Sequence, residues 1–180
     1  MRVKLTRIEK RHNRKKFDCE NKDLNDFLAH SARTSDKKRM TRTYVLEDPG
    51  DPNTVMGYVT LTSTSIDIPD ECYAGRKLKN PVPALLLAKM GIDKRYKGQG
   101  YGKRLLTFSI VTASEVSDKI GGIGLVIDAK DEEAKAFYVH RGGSDLEVID
   151  ESGLKLWLPI DICDYLATLQ QQKSQQKPGA

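Results

Sequence analysis

At 180 residues, with 38% hydrophobic residues and a net charge of +5, the chain suits one globular domain and is short for two. Its three cysteines, Cys19, Cys72 and Cys163, lie far apart without a CxxC pair, which argues against a disulfide framework or a zinc ribbon and leaves buried or incidental thiols in a reducing compartment. The start MRVKLTRIEK has no apolar segment behind its positive residues, and no run approaches the roughly 20 apolar residues that span a bilayer, so a soluble cytoplasmic protein is expected.

The charge is uneven: residues 1–44 hold 14 basic against 6 acidic residues, and the remaining 136 hold 16 against 19. Such polarity can steer an anionic partner, nucleic acid among them, toward one face; the alternative is a solvated basic surface.

Val3 to Ile8 alternates apolar and charged residues, which suits a half-buried strand. Leu24, Phe27, Leu28 and Ala32 then recur at helical spacing behind Asn21, an N-cap residue, and predict an amphipathic helix from about residue 21 into the thirties. Arg33, Lys37, Lys38, Arg39 and Arg42 crowd the path into the strand Thr43 to Leu46. The turn-rich stretch 48–53 and Val55 to Thr62 complete a hairpin. Residues 66–83, with three prolines and Arg76, Lys77 and Lys79, read as a surface loop. Leu85 to Ile92 is a nearly continuous apolar run, the pattern of a central strand covered on both faces.

A glycine turn follows, then Leu105, Leu106, Ile110, Ala113 and Val116 at helical spacing to about residue 118. Gly122 to Ile127 predicts a second buried strand and Asp131 to Tyr138 a helix with acidic residues in its first turn. The natural topology for this part is a parallel β-α-β pair. Leu146 to Ile149 and Leu154 to Leu158 form a closing hairpin. A domain over 1–160, a helical extension over 161–169 and a disordered polar tail over 170–180 are expected.

The glycine turn carries the chemistry. Main-chain amides approach a pyrophosphate only where side chains are absent, and a helix start adds free N–H donors and a positive dipole end. Gly98, Gly100 and Gly102 supply that access, with Arg95, Lys97, Lys103 and Arg104 able to balance phosphate charge. Gly98 to Lys103 matches neither a P-loop nor a dinucleotide fingerprint. A GxGxG stretch alone is equally an ordinary flexible connection; its place between an apolar strand and a long amphipathic helix favours phosphate binding.

Arg95-Tyr96-Lys97-Gly98-Gln99-Gly100 resembles the cofactor loop Q/R-x-x-G-x-G/A of the GNAT N-acetyltransferases, and the resemblance covers residues 1–160. It implies an α/β fold of mixed α+β character, with a central mixed twisted sheet of about six to seven strands flanked by helices. It implies acetyl-CoA as cosubstrate, with Met90, Gly91 and Ile92 exposing main-chain groups to the pantetheine and acetyl carbonyl. Arg95, Tyr96, Lys97, Gly98, Gln99, Gly100, Tyr101, Gly102 and Lys103 would then surround the pyrophosphate. Ala134, Phe137 and Tyr138 match family positions near the thioester, and Tyr138 is the candidate general acid for the departing thiolate. An amphipathic aromatic closing the core edge is the other reading of Tyr138. Gly143 stands where relatives usually carry an aromatic residue. No general base is evident. His12, His30 and His140 form no metal-ligand spacing with the cysteines and read as surface or local hydrogen-bonding residues, so no metal is expected.

Within the superfamily the chain is most similar to the bacterial toxins of type II toxin–antitoxin systems, through Phe17-Asp18-Cys19, Arg42 to Val45, Gly57-Tyr58-Val59, Pro81-Val82-Pro83 and Asp131 to Tyr138. That likeness implies acetylation of the α-amine of aminoacyl-tRNA and a block on translation, with a ribbon-helix-helix antitoxin and a homodimer as partners. Arg33, Lys37, Lys38, Arg39, Arg42, Arg76, Lys77 and Lys79 are the RNA-facing candidates, since phosphate contacts would position the acceptor stem. Two other functions stay open: acetylation of a protein N-terminus, lysine or small amine, and a noncatalytic RNA- or protein-binding domain of the same fold.

Overall fold

The computed structural model describes residues 3–69, 79–142 and 145–175. Its strands are β1 (Lys4–Arg7), β2 (Arg42–Glu47), β3 (Val55–Ile66), β4 (Val82–Ile92), β5 (Gly124–Asp128), β6 (Glu147–Val148) and β7 (Lys155–Pro159). Its α-helices are α1 (Lys22–Asp26), α2 (Ala32–Lys37), α3 (Tyr101–Ile120), α4 (Glu132–Gly142) and α5 (Ile160–Gln175). The strands form one mixed sheet in the order β1-β2-β3-β4-β5-β7-β6, in keeping with the expected mixed architecture. By contacts the chain divides into two compact units, Met1–Thr62 with Leu87–Leu105, and Ser63–Leu86 with Leu106–Ala180.

In the first unit β1 pairs antiparallel with β2, Leu5 opposite Leu46 and Arg7 opposite Tyr44. β2 and β3 form the expected hairpin, with a bulge at Leu46/Glu47. Asp48 and Asp51 close its turn by accepting from the amides of Gly50 at 2.7 Å and Asn53 at 3.1 Å, the local bonding that makes aspartate a turn residue. Asn21 caps α1, its side chain accepting from the Leu24 amide at 3.0 Å. The helix predicted from residue 21 is not uniform, because a π turn over Phe27–Ser31 separates α1 from α2. Leu28 and Ala32, both fully buried, pack with Ile8, Phe17, Val45, Val55 and Tyr58. Burial of one such leucine contributes about 1.5–3 kcal/mol. The Phe17 and Tyr58 rings meet edge to face at 5.4 Å, and the Tyr58 hydroxyl donates to the Leu24 carbonyl at 2.9 Å.

In the second unit β5 pairs antiparallel with β7, setting Val126 opposite Trp157, and β6 adds the closing hairpin. Trp157, fully buried, packs with Ile66, Ile68, Val82, Ala84, Val126 and Ile149. On α3 the residues Leu106, Ile110 and Ala113 are buried along one face, as the helical spacing predicts.

The structure departs from the sequence reading in several places, among them β3, which runs to Ile66 and not Thr62. The loop expected over 66–83 has 70–78 outside the described residues, but Val82 and Pro83 already belong to β4; Pro83 lacks an N–H, and its carbonyl joins the ladder by accepting from Ile123 at 2.9 Å. β4 sits centrally in the sheet as expected, yet it is not covered on both faces, since Leu85, Leu86, Ala88, Lys89 and Met90 are only half-buried. α5 continues to Gln175, past the boundary expected at 169: Cys163 and Ala167 bury one side of its first turns, and the exposed glutamines and lysine that follow are good helix formers; 176–180 lie outside the described residues.

Candidate active site

The glycine turn is built around a carboxylate. At the end of β4 the Asp93 amide donates to the Met56 carbonyl at 2.9 Å, and its side chain, 1% exposed, caps the short 3-10 turn Lys94–Tyr96. One carboxylate oxygen accepts from the Arg95 amide at 3.0 Å and from Arg95 Nε at 2.8 Å; the other accepts from Arg95 Nη2 at 2.9 Å and the Asp18 amide at 3.1 Å. Burial opposes ionisation of Asp93, but the Arg95 and main-chain donors outweigh it and hold the carboxyl below its ordinary range. Sequence reasoning passed over Asp93. Its signal was a capping residue type between an apolar strand and the turn.

The cations expected to balance phosphate charge are largely engaged by the protein itself. Arg95 is forked on Asp93, Lys97 pairs with Glu20 at 2.5 Å, and Arg104 Nη2 donates to the Val3 carbonyl at 2.6 Å. Of that set, neither Lys103 nor Arg104 makes an ion pair among the described residues. Lys94 pairs with Asp18 at 2.8 Å, and the Tyr96 hydroxyl donates to Asp48, a bond that with burial pushes the phenol up to about 12. These contacts tie the turn to the β2–β3 hairpin and to the segment before α1.

Gly98 and Gly100 have φ of +76° and +81°, and a Cβ added at either would meet nothing within 4 Å. The left-handed backbone calls for glycine, and the space outside it is open to a ligand. α3 then starts at Tyr101 with the Arg104 amide bonded to the Gly100 carbonyl at 3.2 Å. The amides of Tyr101, Gly102 and Lys103 precede the helical ladder and have no acceptor within it. Gln99 is exposed at the turn's apex. Upstream, Met90 and Ile92 are half-buried, and Gly91 is buried so close to the segment before α1 that an added Cβ would stand 3.3 Å from Cys19 Sγ.

In the second unit Asp131 caps α4, accepting from the Ala134 amide at 2.8 Å, with Glu132 and Glu133 in the first turn. Ala134 and Phe137 are half-buried, and the Phe137 and Tyr138 rings meet edge to face at 5.4 Å. Tyr138 is 5% exposed. Burial and, secondarily, the Asp131 charge push its phenol up, so the hydroxyl carries its proton at neutral pH, as an acid must. Gly143 lies outside the described residues.

Back in the first unit, five of the eight RNA-facing candidates come together. A cleft of about 570 Å³ is lined by Arg33, Lys37, Arg39 and Arg42, joined by Arg7 and Lys10, which sequence reasoning did not single out. Lys38 lines an adjoining depression with Arg33 and Lys37. Lys79 is exposed in the second unit, and Arg76 and Lys77 lie outside the described residues.

The histidines play local roles. His12 is buried, accepting from the Glu9 amide at 2.9 Å and bonded to Glu47 at 3.2 Å; burial leads the causes that lower its pKa. His30 and His140 are exposed. No cluster of three metal-ligating side chains occurs among the described residues. Cys19 and Cys163 are buried free thiols.

A family model described as acetyltransferase (GNAT) family matches residues 5–142. The chain is 31% identical over 161 residues to a probable toxin TacT of Sinorhizobium fredii (strain NBRC 101917 / NGR234), covering 83% of this chain and 86% of the other. It is 30% identical over 145 residues to a tRNA-acetylating toxin of Mycobacterium tuberculosis (strain ATCC 25618 / H37Rv), covering 79% and 82%. Among solved structures, AtaT complexed with acetyl-methionyl-tRNAfMet has a TM-score of 0.82 at 22% identity over 92% of this chain and 99% of that one. A mutant of the toxin AtaT bound to the C-terminus of the antitoxin AtaR and acetyl-CoA has a TM-score of 0.77 at 22% identity over 93% and 99%.

Proposed function

Since this chain belongs to the GNAT acetyltransferase family, we propose that it is an acetyl-CoA-dependent N-acetyltransferase acting on the α-amine of aminoacyl-tRNA, a toxin that blocks translation. The observation that carries the donor half is the pair of left-handed glycines with open space outside them at the start of α3. The acceptor half draws on the basic cleft and on the relative named a tRNA-acetylating toxin.

The turn fits a pyrophosphate: its main chain is unobstructed at Gly98 and Gly100, and the first amides of α3 add donors at a positive dipole end. Tyr96, Lys97, Gln99, Tyr101, Gly102 and Lys103 frame that turn, while Arg95 acts through Asp93 to hold its shape. Acetyl-CoA supplies, when bound, an acetyl group activated as a thioester. The main chain of Met90 to Ile92 would polarise the acetyl carbonyl, Ala134 and Phe137 would line the acyl region, and Tyr138 Oη would hand its proton to the sulfur. Aminoacyl esters carry unusually acidic ammonium groups, so the acceptor can lose its proton without a dedicated base.

Three finer expectations accompany this reading: a cytoplasmic protein, a homodimer, and inhibition by a ribbon-helix-helix antitoxin. Among the described residues no helix is long and apolar enough to cross a membrane, and the substrate itself is cytoplasmic.

The test combines the purified protein, labelled acetyl-CoA and total charged tRNA. Label is expected on the aminoacyl group of tRNA; label only on small amines or peptides would contradict the acceptor. Tyr138→Phe is expected to lower kcat by about 10²–10⁴ while leaving acetyl-CoA affinity, read by calorimetry, unchanged. A wild-type protein that binds no acetyl-CoA would favour a noncatalytic domain.

A further inference from the structure

The basic cleft is more ordered than a solvated patch of lysines and arginines. Its centre is Asp36, in the last turn of α2, 5% exposed and surrounded by donors. One carboxylate oxygen takes Arg7 through both Nε at 2.9 Å and Nη2 at 2.7 Å; the other takes the Thr43 amide at 3.0 Å. The Asp36 carbonyl accepts from Arg42 Nη1 at 2.9 Å and from the Arg39 amide at 3.0 Å. One residue thus fixes two guanidinium groups on the cleft wall and the backbone that carries a third.

Arg39 supplies an independent observation. It follows the end of α2 with φ of +62°, in the position and conformation where helices usually place glycine. A cationic side chain held there at the cost of strain points to a use for the cation, and Arg39 lines the cleft. Six cationic side chains face two carboxylates in that cleft, and both carboxylates already have arginine partners, Asp36 in Arg7 and Glu9 in Arg11. Each guanidinium has five N–H donors; Arg7 places two on Asp36 and Arg42 one, so both keep donors for a phosphate.

We propose that Asp36 is the positioning residue of a phosphodiester-binding cleft in which Arg7, Arg39 and Arg42 grip the backbone of the RNA substrate. The inference rests on the tRNA reading above and adds the device that makes the cleft selective for phosphates held at fixed positions. Arginines held in place lose little side-chain freedom on binding, whereas free ones give up roughly 0.5–1.5 kcal/mol each, about a 2- to 12-fold change in affinity. The cleft reads no base and sets only where the RNA lies.

The experiment measures binding of deacylated total tRNA by fluorescence anisotropy at several salt concentrations, beside the melting temperature and acetyl-CoA affinity of each variant. Asp36→Asn raises the net charge by one, so a disordered basic patch would bind RNA more tightly; a positioned clamp binds it about 3- to 10-fold more weakly. Arg7→Lys keeps the charge and loses the fork, and is expected to weaken binding in the same direction. Arg39→Gly relieves the left-handed backbone, so its melting temperature should not fall, while tRNA binding weakens and the slope of log affinity against log salt becomes shallower by about one. Should Asp36→Asn fail to fold, Arg7→Lys and Arg39→Gly carry the test. Wild-type binding to tRNA with undiminished affinity in the folded variants overturns the clamp alone. Absence of tRNA binding by the wild type overturns the tRNA reading and the clamp with it. Loss of binding to a poly-glutamate peptide, with tRNA binding intact, would assign the cleft to a protein partner and overturn the proposal.

Discussion

At the glycine turn three cations are already matched by carboxylates, and at the cleft beside α2 the cations are in excess. Lys94, Arg95 and Lys97 sit on Asp18, Asp93 and Glu20, while the cleft sets six cationic side chains against two carboxylates. Both regions belong to the same compact unit and both are proposed to bind phosphate. The difference teaches that density of charge in a sequence does not say how phosphate will be held. The turn is shaped by its ion pairs and offers main-chain amides; the cleft is shaped by one buried carboxylate and offers side chains.

The largest effect that separates the two is expected at the turn's backbone. Gly100→Val forces a β-branched residue into φ of +81°, a genuine outlier for such a side chain, and is expected to weaken acetyl-CoA binding by about a hundredfold while tRNA affinity stays at the wild-type value. Calorimetry with acetyl-CoA and anisotropy with tRNA read the two arms; equal loss in both would break the distinction.

Next in size is Asp93→Asn, which leaves the Arg95 fork without its charge and is expected to cost about 1–3 kcal/mol of stability, measured by denaturant unfolding. The pH dependence follows from the lowered folded pKa of Asp93. That contribution is complete above the ordinary aspartate range near about 4 and is lost as pH falls through the folded value. The difference in melting temperature between wild type and Asp93→Asn should therefore shrink on acidification from about pH 6 to about pH 3. A difference that stays constant would remove the carboxylate from the account of the turn.

The smallest effect sharpens the comparison most. Lys97→Gln removes a half-exposed cation paired with Glu20, and such pairs contribute about 0–1 kcal/mol. Acetyl-CoA affinity is expected to change by no more than about threefold. A much larger loss in the same calorimetric titration would show that Lys97 leaves Glu20 for the ligand.

Much of this was legible in the sequence. The alternation of Val3 to Ile8, the Asp48 to Asn53 turn, the Asn21 cap and the strand–glycine turn–helix succession each leave a local pattern, and each led to the element observed. The roles of the polar residues at the turn and cleft were less legible, because their partners are remote. Arg7 and Asp36 are separated by 29 positions, Tyr96 and Asp48 by 48, and Lys97 and Glu20 by 77. No periodicity links such pairs, so the ion pairs of Arg95 with Asp93 and of Lys97 with Glu20 leave no local trace, and Asp36 and Asp93 went unnoticed. The π turn at Phe27–Ser31, which encloses the buried Leu28, and the length of α5 were missed for a different reason: the first leaves no compositional mark, and the exposed polar residues after Leu169 suit a helix as well as a tail.

The most direct measurement is the salt dependence of the two binding events on one preparation of the protein, titrated with acetyl-CoA and with tRNA from about 50 to about 200 mM salt. Main-chain recognition at the turn predicts that acetyl-CoA affinity changes little, whereas side-chain neutralisation at the cleft predicts that tRNA affinity falls steeply, by about tenfold or more for three or more phosphate contacts. Parallel curves, or a steeper fall for acetyl-CoA than for tRNA, would contradict the division between a donor site built from amides and an acceptor cleft built from arginines.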